Sequence, residues 1–203
     1  MEVKEPLAFG CYYHIYNRGN NSAPIFFETE NYYHFLRLYA KYIHPIADTY
    51  AWCLLNNHFH FLIKVKEANE IDVTKFTYSK HDKPKLIDAS RQFSHLFNAY
   101  TQSINKRYKR TGSLFESRFE RKLVDSERYF NNLVYYIHHN PVHHGLTKSP
   151  LLYPWSSYGT IVSNQPTLLK RQAVVQAFGS IAAFEAYHGK TQDLAVIADL
   201  IIE

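Results

Sequence analysis

Two stretches of the chain gather residue types that handle phosphates and metal ions. The first is Asn57-His58-Phe59-His60-Phe61-Leu62-Ile63. On a strand, successive side chains alternate, so His58 and His60 share one face while Phe59, Phe61 and Ile63 share the other. The apolar set can anchor a sheet and leave two imidazoles converging, a geometry that can hold a divalent metal ion. Packed or solvent-facing histidines fit the same spacing, and two histidines alone do not choose between these outcomes. The second stretch is Tyr135-Tyr136-Ile137-His138-His139-Asn140-Pro141. On a helix, Tyr136 and Asn140 lie four apart on one face, so a phenolic nucleophile and an amide oxygen can approach the same metal or phosphate. The chain has 17 tyrosines, most of which must be structural, and His138, His139, His143 and His144 also fit ordinary surface or helix-end roles.

The elements that must position these groups are legible in the patterning. Residues 11–18, CYYHIYNR, mix aromatic and branched side chains and run into Gly19-Asn20-Asn21, which predicts a strand and a turn. Tyr32, Phe35, Leu36, Tyr39 and Ile43 recur at helical spacing over 28–43, with Pro45 as a stop. Residues 46–55 and 58–65 predict a hairpin turning at Asn56-Asn57. Over 67–89 the pattern is broken, which predicts a short helix and then a mobile connection. From Ser90, Phe93, Leu96, Phe97, Tyr100, Ile104 and Tyr108 mark a second helix with a basic C-terminal end, favourable for the helix dipole. Residues 114–124 predict a returning strand or extended segment. Asp125 or Ser126 can cap a third helix carrying Phe130, Leu133, Val134 and Ile137, which Pro141 should end or kink. Residues 168–187 predict a helical appendage. The order of elements fits an α+β sandwich, an antiparallel sheet with helices over one face.

The 203 residues, 46% hydrophobic and 20% charged, are ordinary for one domain with a small appendage and unlike a multi-domain enzyme. With 14 Phe and 17 Tyr, the chain can bury a core without a disulfide or metal staple. Cys11 and Cys53 sit in apolar stretches, which argues against a disulfide scaffold or a cysteine-rich zinc site. No apolar run approaches the ~20 residues that cross a bilayer. The first ten residues lack a signal-peptide pattern, so the expectation is a cytoplasmic protein with no membrane partner. The net charge is +5, and the excess is local: residues 91–122 carry eight basic residues against Glu116 and Glu120. A compact basic element points to a polyanion.

Residues 12–27, 50–65 and 112–147 resemble the single-tyrosine HUH transposases of the IS200-like group, especially the REP-associated tyrosine transposases. The resemblance is carried by Tyr16-Asn17-Arg18-Gly19-Asn20-Asn21, by Trp52-Cys53-Leu54-Leu55-Asn56-Asn57-His58-Phe59-His60-Phe61-Leu62-Ile63, by Gly112-Ser113-Leu114-Phe115-Glu116-Ser117-Arg118-Phe119, and by Tyr136-Ile137-His138-His139-Asn140-Pro141-Val142-His143-His144-Gly145-Leu146. It covers most of 11–147 and does not extend clearly over 160–203. Position 56 departs from the pattern, with Asn56 where a proline commonly precedes the Asn-His segment.

This resemblance implies a ferredoxin-like catalytic fold over residues 1–147, with 148–203 as an extension packed on it. It implies single-stranded or hairpin DNA as substrate, and Mg²⁺ or Mn²⁺ as cofactor. His58 and His60 become expected metal ligands, with Asn140 ranked below them as a third, and Tyr136 the expected nucleophile. The implied activity is that of a DNA transesterase, an endonuclease and strand transferase that forms a 5′-phosphotyrosine adduct. Such chemistry conserves the energy of the phosphodiester and suits a chain without a Gly-rich nucleotide loop. A homodimer is an expectation of the resemblance alone. Arg18, Lys106, Arg107, Lys109, Arg110, Arg118 and Arg121 are candidate DNA-backbone contacts. Tyr108, Phe115 and Phe119 fit either base stacking or the core. The alternatives are a relaxase or replication-initiation-like HUH nuclease, and a DNA-binding protein without cleavage.

Overall fold

A computed structural model describes residues 6–76, 87–116 and 118–192. The first strand, β1 (Tyr12–Arg18), is followed by helix α1 (Thr29–Tyr42), strands β2 (Ala47–Leu54) and β3 (His58–Val65), and helix α2 (Ala89–Tyr108). Then come β4 (Glu120–Val124), α3 (Glu127–His143), and the short helices α4 (Tyr158–Val162), α5 (Arg171–Phe178) and α6 (Ile181–His188). The strands form one antiparallel sheet in the order β2-β3-β1-β4. This is the ferredoxin-like arrangement, in which crossover helices bring β1 and β3 together at the centre.

Alternation along the strands sets the two faces. Tyr13 and Ile15 of β1, with Phe59, Phe61 and Ile63 of β3, pack against Phe35 and Tyr39 of α1 and Phe93, Leu96, Phe97 and Tyr100 of α2. These two helices cover one face of the sheet, as the sequence predicts. α3 lies on the opposite face, where Leu133, Val134, Tyr136 and Ile137 pack with Cys53, Leu62 and Val124. The face that carries His58 and His60 is therefore roofed by the tyrosine helix.

Several local expectations change in the structure. The predicted helix after residue 67 is a pair of 3₁₀ turns, Ala68–Glu70 and Val73–Lys75, and the predicted connection beyond it falls largely on residues 77–86, outside the described residues. Of 114–124 only Glu120–Val124 is a strand, with Phe115 adding a single bridge to Gly19. Pro141 does not end α3: the helix runs on to His143, and His144, just beyond, caps it by donating its N–H to the Asn140 carbonyl at 3.0 Å. Burial of Asn140 and Pro141 within α3's packed face outweighs the local preference of a pre-proline residue for extended backbone. The appendage is two helices broken at Gly179, whose φ of 89° lies in the left-handed region.

Residues 150–188 pack on α3 and β2. Tyr158, Ile161, Leu169, Val174 and Phe184 join the same buried cluster as Leu133 and Ile137. A buried polar chain reinforces this contact. Trp52 N–H donates to Ser157 Oγ at 2.9 Å, Ser157 Oγ lies 2.8 Å from His138 Nε2, His138 Nδ1 lies 3.0 Å from His188 Nε2, and His188 Nδ1 lies 2.8 Å from the Phe184 carbonyl. Because the carbonyl can only accept, every donor in the chain is fixed in one direction with both histidines neutral. Among the described residues no helix is long and apolar enough to cross a membrane.

Candidate active site

The hairpin between β2 and β3 turns through Leu55, Asn56 and Asn57. Asn56 stands where a proline would stiffen this turn, and main-chain hydrogen bonds hold it instead. Ile25 and Phe26 donate their N–H groups to the Asn56 carbonyl at 2.7 and 3.0 Å, and Gly19 donates to the Asn57 carbonyl at 2.7 Å. Glycine at 19 lets the next turn fold back closely: a Cβ there would lie 1.9 Å from the Ala23 carbonyl oxygen. The turn thus places His58 at the first residue of β3, opposite Arg18 at the last residue of β1.

α3 begins at Ser126, whose hydroxyl accepts the Tyr129 N–H at 3.3 Å. Its helical period brings Tyr136 and Asn140 onto the face that meets β3. Asn140 Oδ1 lies 2.9 Å from His58 Nε2, and the Tyr136 ring lies 5.3 Å, centroid to centroid, from His60 at an interplanar angle of 76°. The rings of His58 and His60 are 5.2 Å apart. The four residues singled out in the sequence are therefore gathered in one place. Tyr136 is only 2% exposed and His60 is fully buried, whereas His58 reaches a cavity of about 260 Å³ lined by Arg18, Asn56, Asn57, His144 and Leu146.

Burial dominates the electrostatics. It lowers the pKa of His58 to about 4, opposed by the contact with Asn140 and aided by His144 and Arg18. His60 lies well below the ordinary imidazole value for the same reason, with His14, His58 and His144 adding to the effect. Both rings are neutral near pH 7, as metal ligands must be.

The donor set can be tested against a divalent cation. His58 Nδ1 lies 2.7 Å from Asn57 Oδ1 and Nε2 lies 2.9 Å from Asn140 Oδ1. A neutral imidazole has one N–H, so it cannot donate to both oxygens. If Nδ1–H donates to Asn57, the Nε2 lone pair faces the Asn140 oxygen, and either a cation or a rotated amide resolves that meeting. His60 Nε2 is buried with no hydrogen-bond partner. Two neutral imidazole nitrogens and an amide oxygen are donors that a divalent cation accepts, and among the described residues no three His, Cys, Asp or Glu side chains cluster as a metal site.

The basic candidates divide. Arg18 lines the cavity, bonds the Ser22 hydroxyl and lies 3.5 Å from Glu116. Lys106, Arg107 and Lys109 are exposed at the end of α2, where Arg107 pairs with Glu28, and Arg110 lies 6.0 Å from the centroid of the Phe27 ring. Beyond that end, the Leu114 carbonyl accepts the Asn20 N–H at 3.0 Å. Arg118 is exposed. Arg121 faces the α1–α2 side, with its guanidinium 4.3 Å from the centroid of Phe119 and 2.6 Å from Ser90 Oγ. Phe115 and Phe119 are core residues, and the Tyr108 hydroxyl donates to Asn31 Oδ1 at 3.0 Å. His14, which no local spacing marks as a site residue, lies beside His60, and His144 lies on the cavity wall with its ring 4.9 Å from His58.

No protein-family model matches the chain. Over 116 residues, 57% of its length, it is 26% identical to a REP-associated tyrosine transposase of Haemophilus influenzae, of which the match spans 61%. Over that stretch the chain is similar to the REP-associated tyrosine transposases. Its fold agrees with this. A solved REP-associated tyrosine transposase bound to a REP hairpin superposes with a TM-score of 0.62, covering 82% of this chain and 88% of that one at 18% identity.

Proposed function

We propose that the chain is a metal-dependent, single-tyrosine DNA transesterase of the REP-associated type, cutting and rejoining single-stranded DNA beside a hairpin. The observation that carries this reading is the meeting of β3 and α3, where Asn140 Oδ1 sits 2.9 Å from His58 Nε2 one helical turn from Tyr136. The hairpin comes from the related transposase whose structure holds one.

Tyr136 supplies the nucleophile. Its phenolic oxygen bonds to phosphorus while the bond from phosphorus to the 3′ oxygen breaks. The phenol proton is lost, and the departing oxygen takes up a proton to become a 3′-hydroxyl. A free phenol titrates at about 10, so the site must assist that deprotonation. His58, His60 and Asn140 would hold Mg²⁺ or Mn²⁺, which when bound polarises a phosphate oxygen. Arg18 on the cavity wall holds a neighbouring phosphate and positions the strand. Attack by another 3′-hydroxyl on the phosphotyrosine reverses the step and joins strands without ATP. Because Tyr136 is 2% exposed, DNA must displace packing around α3 before a phosphate reaches the phenol.

That burial is also the observation favouring a second reading, a DNA-binding protein that does not cut. Labelled single-stranded hairpin DNAs from the protein's own genomic neighbourhood, incubated with Mn²⁺ or EDTA and run on a denaturing gel, separate the two. A metal-dependent protein–DNA adduct absent from Tyr136→Phe is the expected result. Binding to the same DNAs with no adduct would establish the second reading.

A further inference from the structure

A third histidine lies behind the pair. His14, on β1, is fully buried, and its Nε2 is 2.9 Å from His60 Nδ1. The two rings stack with centroids 5.1 Å apart and an interplanar angle of 23°. The β1–β3 register places His14 opposite Leu62 and Tyr16 opposite His60, so the contact runs diagonally across two central strands that fix its geometry. Each ring has one nitrogen in this contact. The others, His14 Nδ1 and His60 Nε2, are buried and have no hydrogen-bond partner.

One shared proton can occupy the contact in two ways. If His14 Nε2–H donates, neutral His60 carries its own proton on Nε2 and has no lone pair to offer there. If His60 Nδ1–H donates to His14, the His60 Nε2 lone pair is free. An imidazole that ligates a metal through one nitrogen is oriented by what its other nitrogen donates to. That outer partner is commonly a carboxylate, a carbonyl or a water, and here an imidazole occupies its place.

We propose that His14 is a positioning residue: its Nε2 accepts from His60 Nδ1–H and holds His60 in the tautomer whose Nε2 lone pair faces the site. The inference rests on the reading of His58 and His60 as cation ligands, and it assigns His14 no contact with DNA or with the reacting atoms. His14 instead sets which nitrogen of His60 is available and the angle at which the ring stands.

The test uses ¹⁵N-histidine-labelled full-length protein. Long-range ¹H–¹⁵N spectra of the metal-free protein report the tautomer of His60, assigned by loss of its signals in His60→Gln. Wild type should show His60 protonated on Nδ1. His14→Phe, which keeps the ring volume and removes the acceptor, should move His60 toward the Nε2–H tautomer, and His14→Gln, whose amide oxygen can accept in the same place, should restore it. Mn²⁺ titration should show affinity about tenfold or more weaker in His14→Phe, recovering in His14→Gln. A His60 protonated on Nε2 in wild type, or a tautomer unchanged in a folded His14→Phe, overturns the inference. Absence of Mn²⁺ binding by wild type overturns the metal reading, while the spectra still decide the role of His14.

Discussion

Asn140 and His58 meet across 82 residues of sequence, with amide oxygen and imidazole nitrogen 2.9 Å apart. This contact joins the helix that carries Tyr136 to the strand that carries the histidines. It predicts different outcomes for two substitutions. Asn140→Ala should weaken Mn²⁺ binding about tenfold with the fold retained. Asn140→Asp, which offers a charged oxygen in the same place, should bind Mn²⁺ at least as tightly as wild type. Isothermal titration measures both, and equal affinity in wild type and Asn140→Ala would remove Asn140 from the ligand set.

The loop that sets His58 depends on Gly19. A Cβ introduced there would meet the Ala23 carbonyl oxygen at 1.9 Å, and that oxygen is backbone. Gly19→Ala must therefore open the turn at Asn20–Ser22, loosening Arg18 from Ser22 and the Gly19 N–H from the Asn57 carbonyl. We expect a loss of about 1–3 kcal/mol in urea denaturation, the usual range for overpacking, with weaker DNA binding. An unchanged midpoint would show that the turn accommodates the methyl group.

Arg18 and Arg121 should separate binding from stability. Arg18 lines the cavity, so Arg18→Ala should weaken DNA binding and lower its salt dependence with little change in melting temperature. Arg121 packs on Phe119 and Ser90 beneath α2, so Arg121→Ala should lower the melting temperature more than it lowers DNA affinity. Fluorescence anisotropy at two salt concentrations, beside thermal melts, reads both effects. The reverse ranking would place the DNA on the α1–α2 face.

Acid should loosen the C-terminal helices. Burial lowers the His188 pKa from 6.5 to about 4, chiefly by desolvation, and His138 is displaced in the same direction. The unfolded chain takes up a proton at His188 as pH falls through 6.5, and the folded chain takes it up only near 4. Stability from this group is therefore complete above about 6.5, falls between 6.5 and 4, and is flat below. His188 alone accounts for about 3 kcal/mol over that window. His188→Gln, whose amide oxygen can accept from His138 Nδ1–H, should reduce the slope of unfolding free energy between pH 5 and 6.5 by up to one proton. An identical slope in wild type and variant would assign the acid sensitivity to other groups.

Sequence by itself determined the three sheet-packed helices, the strands that carry the site, and which of their residues share a face. Alternation in β3 put His58 and His60 opposite Phe59, Phe61 and Ile63, and the helical period put Tyr136 and Asn140 together, because both depend only on local backbone geometry. Tertiary structure alone decided what met across those faces. Strand register aligned His14 diagonally with His60, and packing on the sheet carried α3 past Pro141 and buried Tyr136. Pairing of β4 with β1 set Arg121 opposite Ile15, toward α2 rather than toward the cavity. Each of these outcomes depends on a partner tens of residues away. Periodicity reports the phase of one element, whereas register and layer order are set by the area and the hydrogen bonds that two elements gain together.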